Sequence, residues 1–271
     1  MKRVVHNMHQ SVSLAQGHKD RVDLLQFTDT HICPGPDQFF DGVDTEKTLV
    51  QVIAHARKFH WPPDAVLVTG DLVHEPAPSA YERLNAILKT MARPVFCVPG
   101  NHDDPVLIHG VLGAENISTA RAIIFNHWIC VMLDTFLPES HAGCLSITEL
   151  GFLDQALTEH GDKHALICLH HPPVSVGSPW MDRMGLQNPA GLFSIVDRHP
   201  QVRGILWGHI HQEFNSARNT VQLMATPSTC VQFTPKADGY IKADKPPAYR
   251  YLQLHASGEI GTRVININDG E

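Results

Sequence analysis

Five short apolar runs in this chain stop abruptly at Asp, Asn or His, and that repeated junction limits the folds open to it. The fullest case is residues 94–98, followed by Pro99-Gly100-Asn101-His102-Asp103. Pro99 ends strand pairing and Gly100 permits a tight turn, so a strand would deliver the next side chains to one edge of a sheet. Asn101 offers a neutral carbonyl oxygen to a metal, and His102 can move a proton. The same junction recurs at Asp29-x-His31 after residues 22–27, at Gly70-Asp71 after 65–68, at His170-His171 after 165–169, and at Gly208-His209-x-His211 after 202–207.

Between these runs the spacing is helical. Residues 45–59 place Leu49, Val52, Ile53 and Ala56 on one face. Residues 79–91 read as a helix with Ser79 as its N-cap, and 148–159 and 190–198 as two more. Residues 122–125 and 128–133 read as a hairpin, and four further strands are expected within 213–267. Short, wholly apolar runs suit strands buried on both faces. The expectation is an α/β fold in which two mixed β-sheets pack face to face with helices outside. Ligand sites in open α/β sheets lie beyond the carboxyl ends of the strands, where all five clusters fall. Residues 1–20 are polar and aperiodic, and are expected as a flexible arm before a single domain spanning 21–271.

The formal charge of −7 argues against a nucleic-acid binder that relies on a broad basic face. No apolar run is long enough to span a membrane or to serve as a signal peptide. The cysteines at 33, 97, 130, 144, 168 and 230 form no C-x-x-C pair, which fits a reducing, cytoplasmic setting. A monomer or a homodimer is expected.

Taken singly, each cluster has an ordinary explanation. Asp-x-His after a strand is commonly a turn, and an Asn-His-Asp stretch can be an Asx-turn. Their ordered joint occurrence after apolar strands is what favours a centre. Alternation in an extended segment puts residues i and i+2 on one side, so Asp29 with His31, and His209 with His211, would each aim at one place. Seven such side chains exceed the needs of one tetrahedral ion and suit two ions sharing a carboxylate. Carboxylate and amide oxygens mixed with imidazole favour manganese, iron, zinc or cobalt over calcium or magnesium.

In this order the motifs resemble the signature of the calcineurin-like metallophosphoesterases. The resemblance extends to the bacterial class III 3′,5′-cyclic-nucleotide phosphodiesterases through 169–172, 208–213 and 225–233, and runs from about residue 22 to 265. It implies a four-layer α/β/β/α sandwich holding two divalent or trivalent ions, manganese or iron first, with zinc or cobalt as alternatives. Asp71 would bridge them. Asp29, His31 and His211 would complete one site, and Asn101, His170 and His209 the other, with His171 the second candidate for the role of His170. His102 and Asn101 would take part in catalysis, and His31, Asp71, Asn101, His102 and His211 would meet the substrate. That substrate would be a small cyclic nucleotide, cAMP above all, with no nucleic acid or membrane involved.

Metal coordination lowers the pKa of water, and His102 would protonate the leaving oxygen, with Asp103 either orienting it or capping a helix. Over the centre, a loop at 174–189 with Trp180, Met181 and Asn188, and the stretch Thr226-Pro227-Ser228-Thr229-Cys230, are expected to reach toward substrate or simply to pack. Two alternatives are a broader phosphodiesterase or phosphomonoesterase, and a noncatalytic binding module stabilised by metal.

Overall fold

The computed structural model describes residues 11–14, 20–113 and 115–268. In chain order the elements are β1 (Ser11–Ser13), β2 (Arg21–Phe27), α1 (Thr45–Phe59), β3 (Ala65–Thr69), α2 (Pro78–Lys89), β4 (Val95–Val98), α3 (Pro105–Val111), β5 (Ile117–Ser118), β6 (Ala122–Ile124), β7 (Trp128–Met132), α4 (Ile147–Glu159), β8 (His164–Cys168), α5 (Pro179–Asp182), α6 (Pro189–Val196), β9 (Val202–Trp207), β10 (Phe214–Arg218), β11 (Val221–Ala225), β12 (Gln232–Phe233), β13 (Lys242–Ala243), β14 (Ala248–His255) and β15 (Ile260–Asn266). One sheet runs β1-β6-β7-β8-β9-β11-β10 and the other β15-β14-β2-β3-β4-β5, while β12 and β13 form a separate hairpin.

Side-chain alternation along the strands builds the layers. Leu24, Leu67, Phe96 and Val98 of one sheet meet Cys130, Leu166, Cys168 and Leu206 of the other in a shared core. Leu25, Val66 and Val68 face the opposite way, onto Leu49, Val52 and Ala56 of α1 and Leu84 and Leu88 of α2. Ile129, Val131, Ile167 and Ile205 likewise pack on Leu153 and Leu157 of α4 and Leu192 and Ile195 of α6. The fold is therefore a four-layer α/β/β/α sandwich of two mixed sheets, as the sequence implies. Strands β2, β3 and β4 are parallel, as are β7, β8 and β9, so their carboxyl ends line up within each sheet.

Several local expectations are corrected. Helix α2 starts one residue earlier than read, with Ala77 at the cap and no side-chain bond from Ser79. The fixed φ of Pro78 suits the first helical position and displaces Ser79 into the helix. The loop at 174–189 contains the short helix α5. Ser11–Ser13, expected within a flexible arm, pairs in parallel with β6, and the Leu14 amide donates to the Ile124 carbonyl at 2.9 Å. At the sheet edge β6 presents free backbone groups that a short extended segment satisfies. Residues 1–10 and 15–19 of that expected arm lie outside the described residues. No helix among the described residues is long and apolar enough to cross a membrane.

Candidate metal centre

Asp29, Asp71 and Asn101 follow the carboxyl ends of β2, β3 and β4, and His170 and His209 follow those of β8 and β9. These loops meet where the two sheets share an edge. One donor atom from each of Asp29, His31, Asp71 and His211 falls within 4.8 Å of the others. Within this group Nε2 of His31 and Nε2 of His211 lie 3.2 Å apart, and His211 Nε2 is 3.4 Å from Asp29 Oδ1. In a second group, His209 Nδ1 lies 3.2 Å from His170 Nε2. Asp71 belongs to both: its Oδ2 is 3.6 Å from His31 Nε2 and its Oδ1 is 3.4 Å from His170 Nε2.

The convergence is not made by extended chain. Asp29, His31, Asp71, His209 and His211 all adopt left-handed backbone, with φ of 52°, 44°, 47°, 69° and 50°. Alternation along a strand therefore does not explain how Asp29 joins His31, or His209 joins His211. Side chains with Cβ atoms persist in this region only when neighbours over-determine it. Here the strand ladder continues into the loops: Asp29 N donates to Gly70 O at 3.0 Å, His31 N to Asp71 O at 2.9 Å and Ile32 N to Leu72 O at 3.2 Å. His209 N donates across the sheets to both oxygens of Asp29 at 3.0 Å, and His102 N donates to Asp71 Oδ1 at 2.9 Å. Gly100 is obligatory in this packing, because a Cβ there would stand 2.2 Å from Asp71 Oδ1 and 2.8 Å from His170 Nε2.

Burial disfavours the charged form of His31 and His209 and pushes the pKa of both well below the ordinary value, and nearby histidines add to the fall of each. Burial also opposes ionisation of Asp71, but the imidazoles of His170, His102 and His31 outweigh it and hold the carboxyl well below its usual range. His170 is the exception. Burial disfavours its charge, yet Asp71 prevails and holds its pKa up at about 9. The outer nitrogens are fixed: Nδ1 of His170 donates to Thr69 O at 2.8 Å, and Nδ1 of His211 to Val231 O at 2.6 Å. Such bonds turn the Nε2 lone pairs inward, as they do in metal sites.

A metal pair fits this donor set. Facing ring nitrogens need a proton or a cation between them, and Asp71 offers one oxygen to each group. Asn101 Oδ1 is buried without a hydrogen-bond partner. The mixture of imidazole with carboxylate and amide oxygen suits first-row transition ions. The adjacent histidines part here: His170 faces Asp71, whereas Nδ1 of His171 bonds Thr135 Oγ1 at 2.7 Å. One donor atom of His171 still comes within 4.8 Å of those of His170 and His209.

His102 stands over the first group, its ring centroid 4.9 Å from that of His31. Its Nδ1 donates to His74 O at 2.8 Å, which leaves Nε2 for a ligand. Asp103 neither orients His102 nor caps α3. It accepts from the amides of Gly100 at 2.8 Å, Leu72 at 3.0 Å and Val73 at 3.3 Å, and from the Tyr81 hydroxyl at 3.1 Å. It thereby joins the loop carrying Asp71 to the loop carrying Asn101. The cap of α3 is Asp104, which accepts from Val106 N and Leu107 N.

The stretch at 226–230 likewise supports the centre and does not line the cavity above it. Ser228 Oγ donates to Asp29 O at 2.8 Å, and Thr229 N donates to Thr28 O at 3.1 Å. Thr226 lies in a buried network with Gln26 and Arg250, whose Nε donates to Thr226 Oγ1 at 2.9 Å. Gln26 in turn donates to Thr69 Oγ1 at 2.8 Å and Trp207 O at 3.1 Å, linking both sheets beneath the centre. Asn188 holds Leu145 through two bonds.

A cavity of about 270 Å³ opens over Asp71, Asn101, His102 and His211. Its wall includes Trp180 and Met181, as the loop reading allowed, together with Phe40, His141, Phe233 and Tyr240. Phe233 closes the 225–233 stretch, whereas Phe40, His141 and Tyr240 stand beside no motif, so nothing local marks these three. His141 offers only its residue type as a signal.

Known proteins resemble this chain in sequence and in fold. The calcineurin-like phosphoesterase family model matches residues 22–213. Over 253 residues the chain is 35% identical to the 3′,5′-cyclic adenosine monophosphate phosphodiesterase CpdA of Vibrio vulnificus, covering 93% of this chain and 92% of that protein. Over 246 residues it is 34% identical to a 3′,5′-cyclic-nucleotide phosphodiesterase of Nostoc, covering 91% and 92%. Among solved structures, a dimetal phosphatase from Danio rerio superposes with a TM-score of 0.61 at 16% identity, covering 91% of this chain and 99% of that one. GAP50 of Plasmodium superposes at 0.64 and 12% identity, covering 93% and 87%. With the family match spanning most of the chain and two strand-end loop sets meeting at one centre, this chain belongs to the calcineurin-like phosphoesterase family.

Proposed function

We propose that this protein hydrolyses the cyclic phosphodiester of 3′,5′-cAMP to the 5′-nucleotide with the help of two metal ions. The observation that carries the reading is Asp71, a buried carboxylate with one oxygen toward each of two histidine groups. Its relatives named as cyclic-nucleotide phosphodiesterases cover nearly the whole chain, which supports the substrate.

In this reading Asp29, His31 and His211 hold one ion, and Asn101, His170 and His209 the other, with Asp71 shared. Manganese or iron is proposed, with zinc or cobalt as alternatives. When bound, such ions offset the charge on phosphoryl oxygens and make water a better nucleophile at neutral pH. The chain supplies the remainder. Asp71 and Asp29 are held by backbone amides, so they need no rearrangement as charge develops. His102, whose Nδ1–H is held by the His74 carbonyl, presents Nε2 to the cavity and, in its imidazolium form, passes the Nε2 proton to the departing ribose oxygen. The aromatic wall accepts the apolar part of the substrate. The cavity suits a single nucleotide rather than a nucleic-acid strand, in keeping with a formal charge of −7.

The deciding experiment is a hydrolysis panel on metal-reconstituted protein, with cAMP, cGMP, 2′,3′-cAMP, glycerophosphodiesters and p-nitrophenyl phosphate side by side. The reading expects the highest kcat/KM for a 3′,5′-cyclic nucleotide. A higher value for a glycerophosphodiester or for the monoester would replace cAMP as the substrate. No turnover of any compound at full metal loading would leave a binding module.

A further inference from the structure

We propose that Tyr240 is the platform on which the base of the nucleotide stacks, a proposal that rests on the cyclic-nucleotide reading above. The β12–β13 hairpin forms one wall of the cavity and carries a row of rings outward from the metal centre. Phe233 stacks on His211 with centroids 3.9 Å apart and planes 7° apart. Tyr240 then packs edge-on against Phe233 at 5.2 Å and against Trp180 at 6.2 Å. A phosphodiester over Asp71 would direct its ribose along Phe233 and its base to Tyr240.

Two properties of Tyr240 set it apart from a packing residue. It is fixed, and it is open. Its hydroxyl donates to Asp41 Oδ2 at 2.6 Å, and Lys242 Nζ donates to Asp41 O at 2.8 Å. Ser178 Oγ donates to Ala237 O at 2.9 Å, tying the hairpin to the segment that carries Trp180. Despite these ties the residue remains 48% exposed while lining the cavity, whereas Phe233 is 8% exposed and already stacked on His211. A ring held in place and half-exposed at the cavity binds a planar base at little entropic cost. Beside it Trp180 Nε1 is buried without a hydrogen-bond partner. Asp41 and Tyr240 lie far apart in the sequence, so the platform exists only after folding.

The test compares two substrates, cAMP and the methyl riboside 3′,5′-cyclic phosphate, which keeps the sugar and diester but lacks a base. Kinetics are measured on the metal-loaded wild type, Tyr240→Ala and Tyr240→Phe, with thermal melts recorded alongside. Tyr240→Ala is expected to raise KM for cAMP about tenfold, the loss of one stacked base, with kcat within about twofold. KM for the baseless diester stays at the wild-type value, and Tyr240→Phe, which keeps the ring but not its bond to Asp41, raises KM for cAMP by less than Tyr240→Ala does and leaves the baseless diester unchanged. An unchanged KM for cAMP in Tyr240→Ala overturns the platform while leaving the cyclic-nucleotide reading intact. An equal rise on both substrates also overturns it and makes Tyr240 a support for the hairpin. A wild type that turns over neither substrate removes the cyclic-nucleotide reading, and the platform with it.

Discussion

Asn101 Nδ2 lies 3.3 Å from Nδ1 of His141, forty residues further along the chain. An amide nitrogen can only donate, so His141 Nδ1 accepts there, and Oδ1 of Asn101 is turned to the other side, where it is buried and unpartnered. His141 thus decides which end of the amide faces the candidate metal centre. Its replacement by Ala is expected to raise the metal concentration for half-maximal activity by about 10–100-fold, the usual loss when an outer partner of a ligand is removed. His141→Gln, which can still accept through its side-chain oxygen, should restore most of the affinity. Metal titration by calorimetry checks both, and equal losses in the two variants would show that His141 supports the loop instead.

Asp71→Ala is expected to abolish turnover and at least one equivalent of bound metal. Each histidine group loses the oxygen that faces it, and no other carboxylate among the described residues has an oxygen toward both. Elemental analysis after reconstitution gives the count. Wild-type content and activity would remove Asp71 from the centre.

His102→Ala is expected to retain both ions and to lose about 10²–10⁴-fold in kcat on cAMP, the span for a general acid. The loss should be smaller on p-nitrophenyl diesters, whose leaving group needs little protonation. Loss of metal from this variant would instead make His102 a ligand.

Metal affinity should depend on pH through His170. Burial disfavours its protonated form, but Asp71 outweighs burial and holds the metal-free pKa at about 9. Below that value the ring carries a proton on the nitrogen that would bind metal, so binding releases it. Apparent affinity is therefore expected to rise about tenfold per pH unit from pH ~6.5 to ~8.5 and to level off above about 9. Calorimetry in buffers of different ionisation heat counts the proton. A flat profile over that range would exclude His170 from the ligand set.

The sequence by itself determined the layers and the inventory of the site. Short apolar runs such as Val66-Leu67-Val68 suit strands buried on both faces, and Leu49, Val52 and Ala56 share one face on a helix. Each polar residue that follows such a run must lie at a carboxyl edge, which is why the motifs named the residues that meet there. Local spacing could not give their geometry. Asp29, His31, Asp71, His209 and His211 take left-handed backbone because neighbouring loops impose it, where strand alternation suggested extended chain. The partners of Asp103 sit in the loops after β3 and β4 and on α2, so its bonds follow from packing and not from its place beside His102. From sequence, the Ser228 and Thr229 hydroxyls could meet substrate or close a turn; packing of the sheets gives the Ser228 hydroxyl to the Asp29 carbonyl and the Thr229 amide to the Thr28 carbonyl. The cavity wall joins Phe40, His141, Trp180 and Tyr240 from separate loops. Only tertiary structure could decide that wall, because each of these contacts is set by how two sheets and their loops pack.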